Sequence, residues 1–319
     1  MGATCSGPPL ALRIGRVAMT DPIHFAKLSG SGNDFVCIDS RDGRHGALLA
    51  SPRRVGQFAR VVCRRRLGVG ADGVVFATAC PDPAEADVGA RHFEPDGSEA
   101  ELCGNGTACF AAWAIANAWV PANEIRIHTP SGMVRGRGGP GQYMHVCIPE
   151  PHDLATDVEF TLDGSRWTGD FAITGVPHLV VYVDDVDRVD VARLGPAIRH
   201  HERFAPRGVN VNFTQVLGQG ELAVRTFEFG VEDETLACGT GCSTAAAAAA
   251  FRLGWPRDYL DQGEPIRIHV RSGDVLKVYL LVDERCVFTK VCLETIVRPM
   301  YHGTLHPSLV AQALGQGAG

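Results

Sequence analysis

Long apolar runs and an excess of basic residues are both missing from this sequence of 319 residues. No stretch reaches the ~18 uncharged apolar residues that a membrane-spanning helix needs, and the apolar residues 10–12 are followed at once by Arg13 and Arg16. Lys and Arg number 30 against 36 Asp and Glu, a formal net charge of −6, whereas proteins that hold a nucleic-acid backbone carry a basic surface. We therefore expect neither a membrane partner nor a nucleic-acid partner.

Cysteine pairs with the spacing of zinc ligands are missing as well, although cysteine itself is frequent. The 11 cysteines are an odd number, and no two of them form a C-x₂-C pair. The sequence starts without a recognisable secretion signal, so we expect reduced thiols in a cytoplasmic protein. Because zinc ligands usually occur as such cysteine pairs, we expect no metal site.

The composition and length indicate a two-lobed globular protein. Hydrophobic residues make up 45% and charged residues 21% of the chain, which is typical of globular domains. At about 150 residues per domain, the length predicts two domains. We interpret the chain as a disordered leader, a first lobe, a second lobe and a tail rich in small residues, at residues 1–20, 21–149, 150–303 and 304–319.

One local pattern occurs once in each half. In residues 96–106 and again in residues 233–241, acidic residues and a short apolar stretch precede Cys-Gly-x-Gly. An apolar helical pattern follows at residues 107–118 and 242–253. This repeat predicts two pseudo-symmetric lobes, with one such turn in each lobe and a site between them.

Each turn combines a thiol with a backbone suited to an anion. A cysteine at a helix N-terminus lies at the positive end of the helix dipole, which lowers the thiol pKa. The glycines of residues 104–106 and 239–241 leave backbone N–H groups free to hold a carboxylate. Two facing turns would hold one amino acid between Cys103 and Cys238, so that one thiolate removes the α-proton and the opposite thiol delivers another. This chemistry is racemisation or epimerisation, and it needs no cofactor if the helix ends stabilise the developing charge.

Seven segments carry a resemblance to a known family. They are residues 32–35 (GNDF), 68–73 (GVGADG), 96–99 (DGSE), 103–106 (CGNG), 177–178 (PH), 210–213 (NVNF) and 235–241 (TLACGTG), together with Glu228. In these motifs and their order, the chain resembles the diaminopimelate epimerase family of pyridoxal-phosphate-independent racemases over about residues 27–297. The resemblance implies an α+β fold of two similar lobes, each a curved, mostly antiparallel sheet around a central helix. It also allows the last strand to return to the first lobe.

The resemblance further implies roles for particular residues. Cys103 and Cys238 are the implied acid/base pair, and His178 and Glu228 are implied to tune their protonation. The implied substrate-binding residues are Gly104, Asn105, Gly239 and Thr240 around the α-carboxylate, with Asn33 and Asn210 elsewhere on the substrate.

The sequence departs from the family at positions that would face the far end of the substrate. In the family an Arg follows the glutamate aligned with Glu228 and binds a distal carboxylate, whereas here Phe229 follows it. Burying a carboxylate without a partner beside an apolar ring costs on the order of several kcal/mol. Two Asn residues of the family are replaced by Glu94 and Val176. These changes predict a pocket that lacks the distal-carboxylate contact and offers an acid to a side-chain ammonium.

We therefore predict a cytoplasmic, cofactor-independent isomerase that racemises a basic diamino acid. The favoured substrate is 2,4-diaminobutyrate, and ornithine, lysine and histidine are alternatives. Diaminopimelate epimerase itself is the alternative within this class, and a catalytically silent amino-acid-binding protein is the alternative outside it. The expected partner is the small-molecule amino acid, and a homodimer stays open.

Overall fold

The computed structural model describes residues 22–100 and 103–315 of the chain. The leader at residues 1–20 and the end of the tail at residues 316–319 lie outside the described residues. Within the described ranges, no helix is both long enough and apolar enough to cross a membrane.

The first half of the chain forms strands around one long central helix. Its helices are α1 (Gly46–Leu49), α2 (Pro52–Cys63) and α3 (Gly104–Ala116). Its strands are β1 (His24–Gly30), β2 (Asn33–Ser40), β3 (Gly73–Thr78), β4 (Val88–Phe93), β5 (Glu99–Ala100), β6 (Glu124–Thr129), β7 (Gly132–Gly138) and β8 (Tyr143–Ile148).

The second half also consists of strands around one long central helix. Its helices are α4 (Val191–Arg199), α5 (Gly239–Arg252) and α6 (Pro307–Ala313). Its strands are β9 (His152–Leu162), β10 (Ser165–Thr174), β11 (Val176–Tyr182), β12 (Asn210–Gly218), β13 (Glu221–Glu228), β14 (Asp233–Thr235), β15 (Ile266–Val270), β16 (Val275–Val282) and β17 (Phe288–Thr304).

The two halves repeat one order of strand pairings. In the first half, the pairs β2–β3 and β4–β6 are parallel, and the pairs β1–β2, β3–β4, β6–β7 and β7–β8 are antiparallel. In the second half, the pairs β11–β12 and β13–β15 are parallel, and the pairs β10–β11, β12–β13, β15–β16 and β16–β17 are antiparallel. This repeat confirms the predicted α+β fold of two pseudo-symmetric, mostly antiparallel lobes.

Strand β17 joins the two halves. It pairs with β16 of the second half and with β8 and β1 of the first. Its Cys292 lies opposite Cys147 of β8, and the two residues form a disulfide with a Cα–Cα distance of 3.9 Å. The expectation that all cysteines are reduced is therefore wrong for this pair. Only the strand register brings together two residues that are 145 positions apart.

Helix α5 passes through the middle of the second lobe because its side chains are small. Residues 245–250 are all alanine, and each is at most 1% exposed, so strands can pack against the helix on every side. Alanine also has the highest intrinsic helix propensity. The same residues therefore favour the helix and allow the sheet to close around it.

The expectation of a tail from residue 304 onwards is wrong for the described part of that segment. Strand β17 runs to Thr304, and helix α6 begins at Pro307, a residue that suits the first turn of a helix. Val310 and Ala313 of α6 are buried in a cluster with residues of α2. This burial of apolar side chains holds the segment against the first lobe.

Candidate active site

The two Cys-Gly-x-Gly turns are the first turns of the central helices. Cys103 is the N-cap of α3 and Cys238 is the N-cap of α5, so both helices begin three residues earlier than the apolar pattern predicts. The Cys103 sulfur accepts a hydrogen bond from the Gly106 N–H at 3.5 Å, and the Cys238 sulfur accepts one from the Gly241 N–H at 3.4 Å. Each thiol thus lies beside the unpaired backbone N–H groups of a helix start.

The two turns lie directly against each other. A Cβ built on Gly104 would be 3.6 Å from the Gly239 Cα, and one on Gly239 would be only 2.7 Å from the Leu293 side chain. A larger residue at position 239 would therefore force the Leu293 side chain to move. Leu293 of β17 packs against both turns.

Asn105 also ties the two turns together. Its Nδ2 donates a hydrogen bond to the Ala237 carbonyl at 3.3 Å, and its Oδ1 accepts one from the Thr295 hydroxyl at 3.3 Å. The side chain is fully buried and spans from the first lobe to the second. Only its backbone N–H is left for a carboxylate at the helix start.

A cavity of about 110 Å³ opens beside the paired turns. Ten of the predicted site residues line it: Cys103, Cys238, Glu228, Glu94, Gly104, Val176, Asn210, Phe229, Gly239 and Thr240. The cavity therefore brings the two thiols, both glycine turns and the three positions that depart from the family into one place.

Three predicted residues do not line this cavity. Asn105 spans the lobes, and Asn33 is buried with its Nδ2 donating to the Asp72 carboxylate at 3.0 Å. His178 is fully buried, and its Nδ1 lies 3.3 Å from the Asn212 amide. Burial lowers the pKa of His178 to about 3, so the ring is neutral at physiological pH and positions its neighbours without contributing a charge.

Sequence reasoning missed four residues that line the cavity, namely Ser98, Glu99, Ala100 and Arg207. Ser98 and Glu99 belong to the 96–99 motif, which could have pointed to them. Arg207 belongs to none of the motifs and lies in the exposed segment before β12. Its approach to the cavity depends on the path of that segment, which no local pattern encodes.

The acidic side chains of the cavity differ in their partners. Glu99 is paired with Arg91 through two bonds of 2.6 and 2.7 Å. Among the described residues, only the His92 imidazole lies within ion-pair distance of Glu94, at 3.8 Å, and burial lowers the pKa of His92 to about 4, so this imidazole is neutral. Burial, with the nearby Glu228, raises the pKa of Glu94 well above its ordinary value. Glu94 therefore faces the cavity without a cationic partner among the described residues.

Glu228 is the second acid of the cavity without a cationic partner among the described residues. Burial raises its pKa to about 7, and its Oε2 finds no hydrogen-bond donor within the described part of the chain. A buried carboxylate without a partner is costly, which makes a bound cation favourable at this position.

The thiols are held in their neutral form by their surroundings. Burial raises the pKa of Cys103 and of Cys238 well above the ordinary value, and the nearby Glu228 raises both further. The hydrogen bonds from Gly106 and Gly241 act in the opposite direction but are outweighed. The helix starts therefore lower the thiol pKa as expected, but burial outweighs them, and the net shift of both thiols is opposite to the expected one.

The Phe229 ring, which forms an apolar wall of the cavity, is held in place by Asn210 and Arg199. The Phe229 N–H donates to the Asn210 Oδ1 at 2.5 Å, and the Arg199 guanidinium lies 4.3 Å from the centre of the Phe229 ring. Arg199 is buried and paired with Glu232 at 3.1 Å. This arginine therefore supports the ring from outside the cavity.

Comparison with known proteins agrees with this arrangement. A family model described as diaminopimelate epimerase matches residues 25–136 and 171–287. The diaminopimelate epimerase of Aquifex aeolicus is 42% identical over 269 residues, covering 83% of this chain and 93% of that protein. That of a Hydrogenobaculum species is 36% identical over 282 residues, covering 88% and 97%.

Solved structures show the same fold at lower identity. A probable proline racemase from Agrobacterium radiobacter with bound carbonate has a TM-score of 0.69 and 16% identity, covering 89% of this chain and 93% of that one. A hydroxyproline epimerase from Agrobacterium vitis with bound trans-4-hydroxy-L-proline has a TM-score of 0.67 and 16% identity, covering 89% and 92%.

The fold and the relatives define an isomerase of the amino-acid racemase and epimerase class. Within that class, the chain belongs to the diaminopimelate epimerase family.

Proposed function

We propose that this protein inverts the α-carbon of a basic diamino acid, with Cys103 and Cys238 as the two acid/base groups and without a cofactor. The observation that carries the proposal is the unpaired Glu94 in the cavity that holds both thiols. The favoured substrate is 2,4-diaminobutyrate, and ornithine, lysine and histidine are the alternatives.

The α-carboxylate of the substrate would lie between the two helix starts. The backbone N–H groups of Gly104, Asn105, Gly239 and Thr240 are placed there, and the positive ends of both helix dipoles point towards it. As the α-proton leaves, negative charge develops on this carboxylate. Fixed donors in a closed cavity stabilise that charge more than mobile water does.

In the proposed reaction, one cysteine sulfur gains a proton and the other loses one. One cysteine enters as thiolate and takes the α-proton, while the other enters as thiol and gives its proton to the opposite face of the same carbon. At the end the two protonation states have exchanged. The raised thiol pKa values keep both cysteines protonated before the substrate binds, and an α-ammonium brought in by the substrate would favour the thiolate. Glu228 lies beside Cys238 and is placed to exchange a proton with it.

The far end of the cavity favours a short, cationic side chain. Glu94 has no cationic partner of its own, and a charge-assisted hydrogen bond to an ammonium would offset the cost of its burial. Phe229 and Val176 line the same cavity of about 110 Å³. A side chain that reaches Glu94 without filling much volume fits best, which supports 2,4-diaminobutyrate.

Diaminopimelate is the second candidate substrate, and Arg207 favours it. This arginine lines the cavity, and a guanidinium at that place could bind a distal carboxylate. The names of the relatives point to the same substrate.

Replacing Glu94 by Gln tests the proposal. We expect kcat/KM for 2,4-diaminobutyrate to fall by about 10²-fold, because a hydrogen bond between two charged groups is lost. Glu99→Gln is the matched control, since Glu99 lines the same cavity but is already paired with Arg91; we expect less than about a threefold change. Chiral chromatography of the product measures both variants. If Glu94→Gln leaves the rate unchanged, or if the wild type inverts LL-diaminopimelate and no diamino monocarboxylate, the proposed substrate class is wrong.

A further inference from the structure

Arg207 brings a cation to the rim of the substrate cavity. It is exposed, and it lines the cavity together with Glu94 and Phe229. Its guanidinium forms no hydrogen bond or ion pair within the described residues, although many of the other arginines pair with an acid. A positive charge at this place would interact electrostatically with any substrate side chain that extends through the cavity.

The backbone holds Arg207 in a fixed relation to the apolar wall. The carbonyl of Arg207 accepts a hydrogen bond from the Arg199 Nη1 at 2.8 Å. The same guanidinium packs on the Phe229 ring and pairs with Glu232. One buried arginine therefore positions both the ring and the segment that carries Arg207.

The cavity thus has charges of opposite sign at two depths. Glu94 is largely buried, with 19% of its side chain exposed, whereas Arg207 lies at the open rim. An ammonium that stops at Glu94 meets a carboxylate. An ammonium on a longer side chain passes Glu94 and approaches a guanidinium of the same sign, which repels it.

We propose that Arg207 is a specificity-determining residue that selects against long cationic side chains, so that the enzyme prefers 2,4-diaminobutyrate over ornithine and lysine. This inference rests on the proposed function and adds the residue that sets side-chain length. Because the guanidinium is exposed to solvent, the repulsion is moderate and is screened by salt over a distance of about 8 Å at physiological ionic strength.

The experiment compares kcat/KM for 2,4-diaminobutyrate, ornithine and lysine in four variants. In Arg207→Gln we expect the ornithine and lysine values, each relative to 2,4-diaminobutyrate, to rise about 3- to 10-fold. Arg207→Glu should raise these ratios further, and Arg207→Lys should keep them near the wild type because the charge is retained. Raising the ionic strength of the wild type should move its ratios towards those of Arg207→Gln.

Arg203→Gln is the matched control. Arg203 is an exposed arginine of the same segment, and it lines the neighbouring hollow of about 290 Å³ but not the substrate cavity. Its substitution should leave the substrate ratios unchanged. If the wild type inverts 2,4-diaminobutyrate and the ratios do not move in Arg207→Gln and Arg207→Glu, or move equally in Arg203→Gln, the role of Arg207 is wrong while the proposed function stands. If the wild type inverts none of the three amino acids, the proposed function and the role of Arg207 both fail.

Discussion

Glu94 and Glu228 share one small cavity with two thiols, and the described residues give neither acid an arginine or lysine partner. Glu228 raises the pKa of Glu94 and of both thiols, and Glu94 raises the pKa of Cys103, because a second negative charge in a buried space is unfavourable. A substrate with two ammonium groups would compensate both carboxylates at once. These two acids therefore support the proposal of a diamino-acid substrate.

The titration of Glu228 predicts how activity depends on pH. Since burial raises its pKa to about 7, we expect kcat/KM to rise with pH through about 7, as the carboxylate forms and can hold the α-ammonium. In Glu228→Gln this rise should disappear and kcat/KM should fall by about 10²-fold. The pH profile of kcat/KM is the measurement, because it reports groups of the free enzyme. A rise near pH 7 that persists in Glu228→Gln would contradict the assignment.

The raised pKa of Glu228 also makes the stability of the folded protein depend on pH. The folded pKa of about 7 lies above the ordinary value of 4.5, so the wild type loses stability as the pH rises from about 4.5 to about 7. Relative to the wild type, Glu228→Gln should therefore gain on the order of 2–3 kcal/mol of unfolding free energy between pH 5 and pH 8. Denaturant unfolding at both pH values measures this, with the exposed Glu264→Gln as the control.

Individual site residues could be predicted from the sequence where they belong to a motif. Cys103 and Cys238 could be predicted because the same short pattern surrounds both. Arg207 could not, because its contact with the cavity depends on the path of an exposed segment. The thiol pKa was predicted in the wrong direction, since the helix dipole is a local feature and burial is not.

At the scale of elements, strand β17 connects the two active-site turns to the rest of the molecule. Leu293 packs against both turns, and Thr295 binds the side chain of Asn105. The neighbouring Cys292 is joined to β8 by the disulfide. The disulfide, the Leu293 contact with both turns and the hydrogen bond of Thr295 to Asn105 thus lie within four consecutive residues of one strand.

Because of the disulfide, we expect the stability of the protein to depend on its redox state. It links residues 145 positions apart, and closing a long loop restricts the unfolded chain. We expect Cys147→Ala to lower the unfolding free energy by about 2–4 kcal/mol without reductant. With reductant, the wild type and Cys147→Ala should become similar in stability.

Chemical denaturation with and without dithiothreitol measures this difference. Cys286→Ala is the control, because Cys286 is an exposed free thiol. Equal stability of the wild type with and without reductant would contradict a structural role of the disulfide.

The bounds of individual helices were predicted less well than the repeat of the two lobes. The helix after each cysteine was predicted three residues late, because the glycines of the turns do not look helical although they begin α3 and α5. Helix α6 was predicted as part of the tail, because its few apolar residues are recognisable as core only once they pack against α2. The disulfide could not be predicted because strand register is a tertiary property.

At the scale of the whole molecule, the two lobes repeat one order of strand pairings around one central helix each. This repeat was predictable because the Cys-Gly-x-Gly pattern occurs twice. The repeat also supports the proposed chemistry, since the two related lobes bring the same thiol-bearing turn to one cavity. The proposed inversion needs one acid/base group on each side of the α-carbon.

The central claim is that Cys103 and Cys238 act as two bases on one α-carbon. The most direct test is α-proton exchange in D₂O with reductant, starting from L-2,4-diaminobutyrate and followed by NMR and chiral chromatography. We predict that the D-product carries deuterium from its first formation while the remaining L-substrate keeps its proton. Inversion should fall by at least about 10²-fold in Cys103→Ala and in Cys238→Ala, and should persist in Cys109→Ala and Cys242→Ala, whose thiols lie outside the cavity. Inversion that survives in either active-site variant, or a wild type that exchanges no α-proton of any of the proposed substrates, would contradict the account.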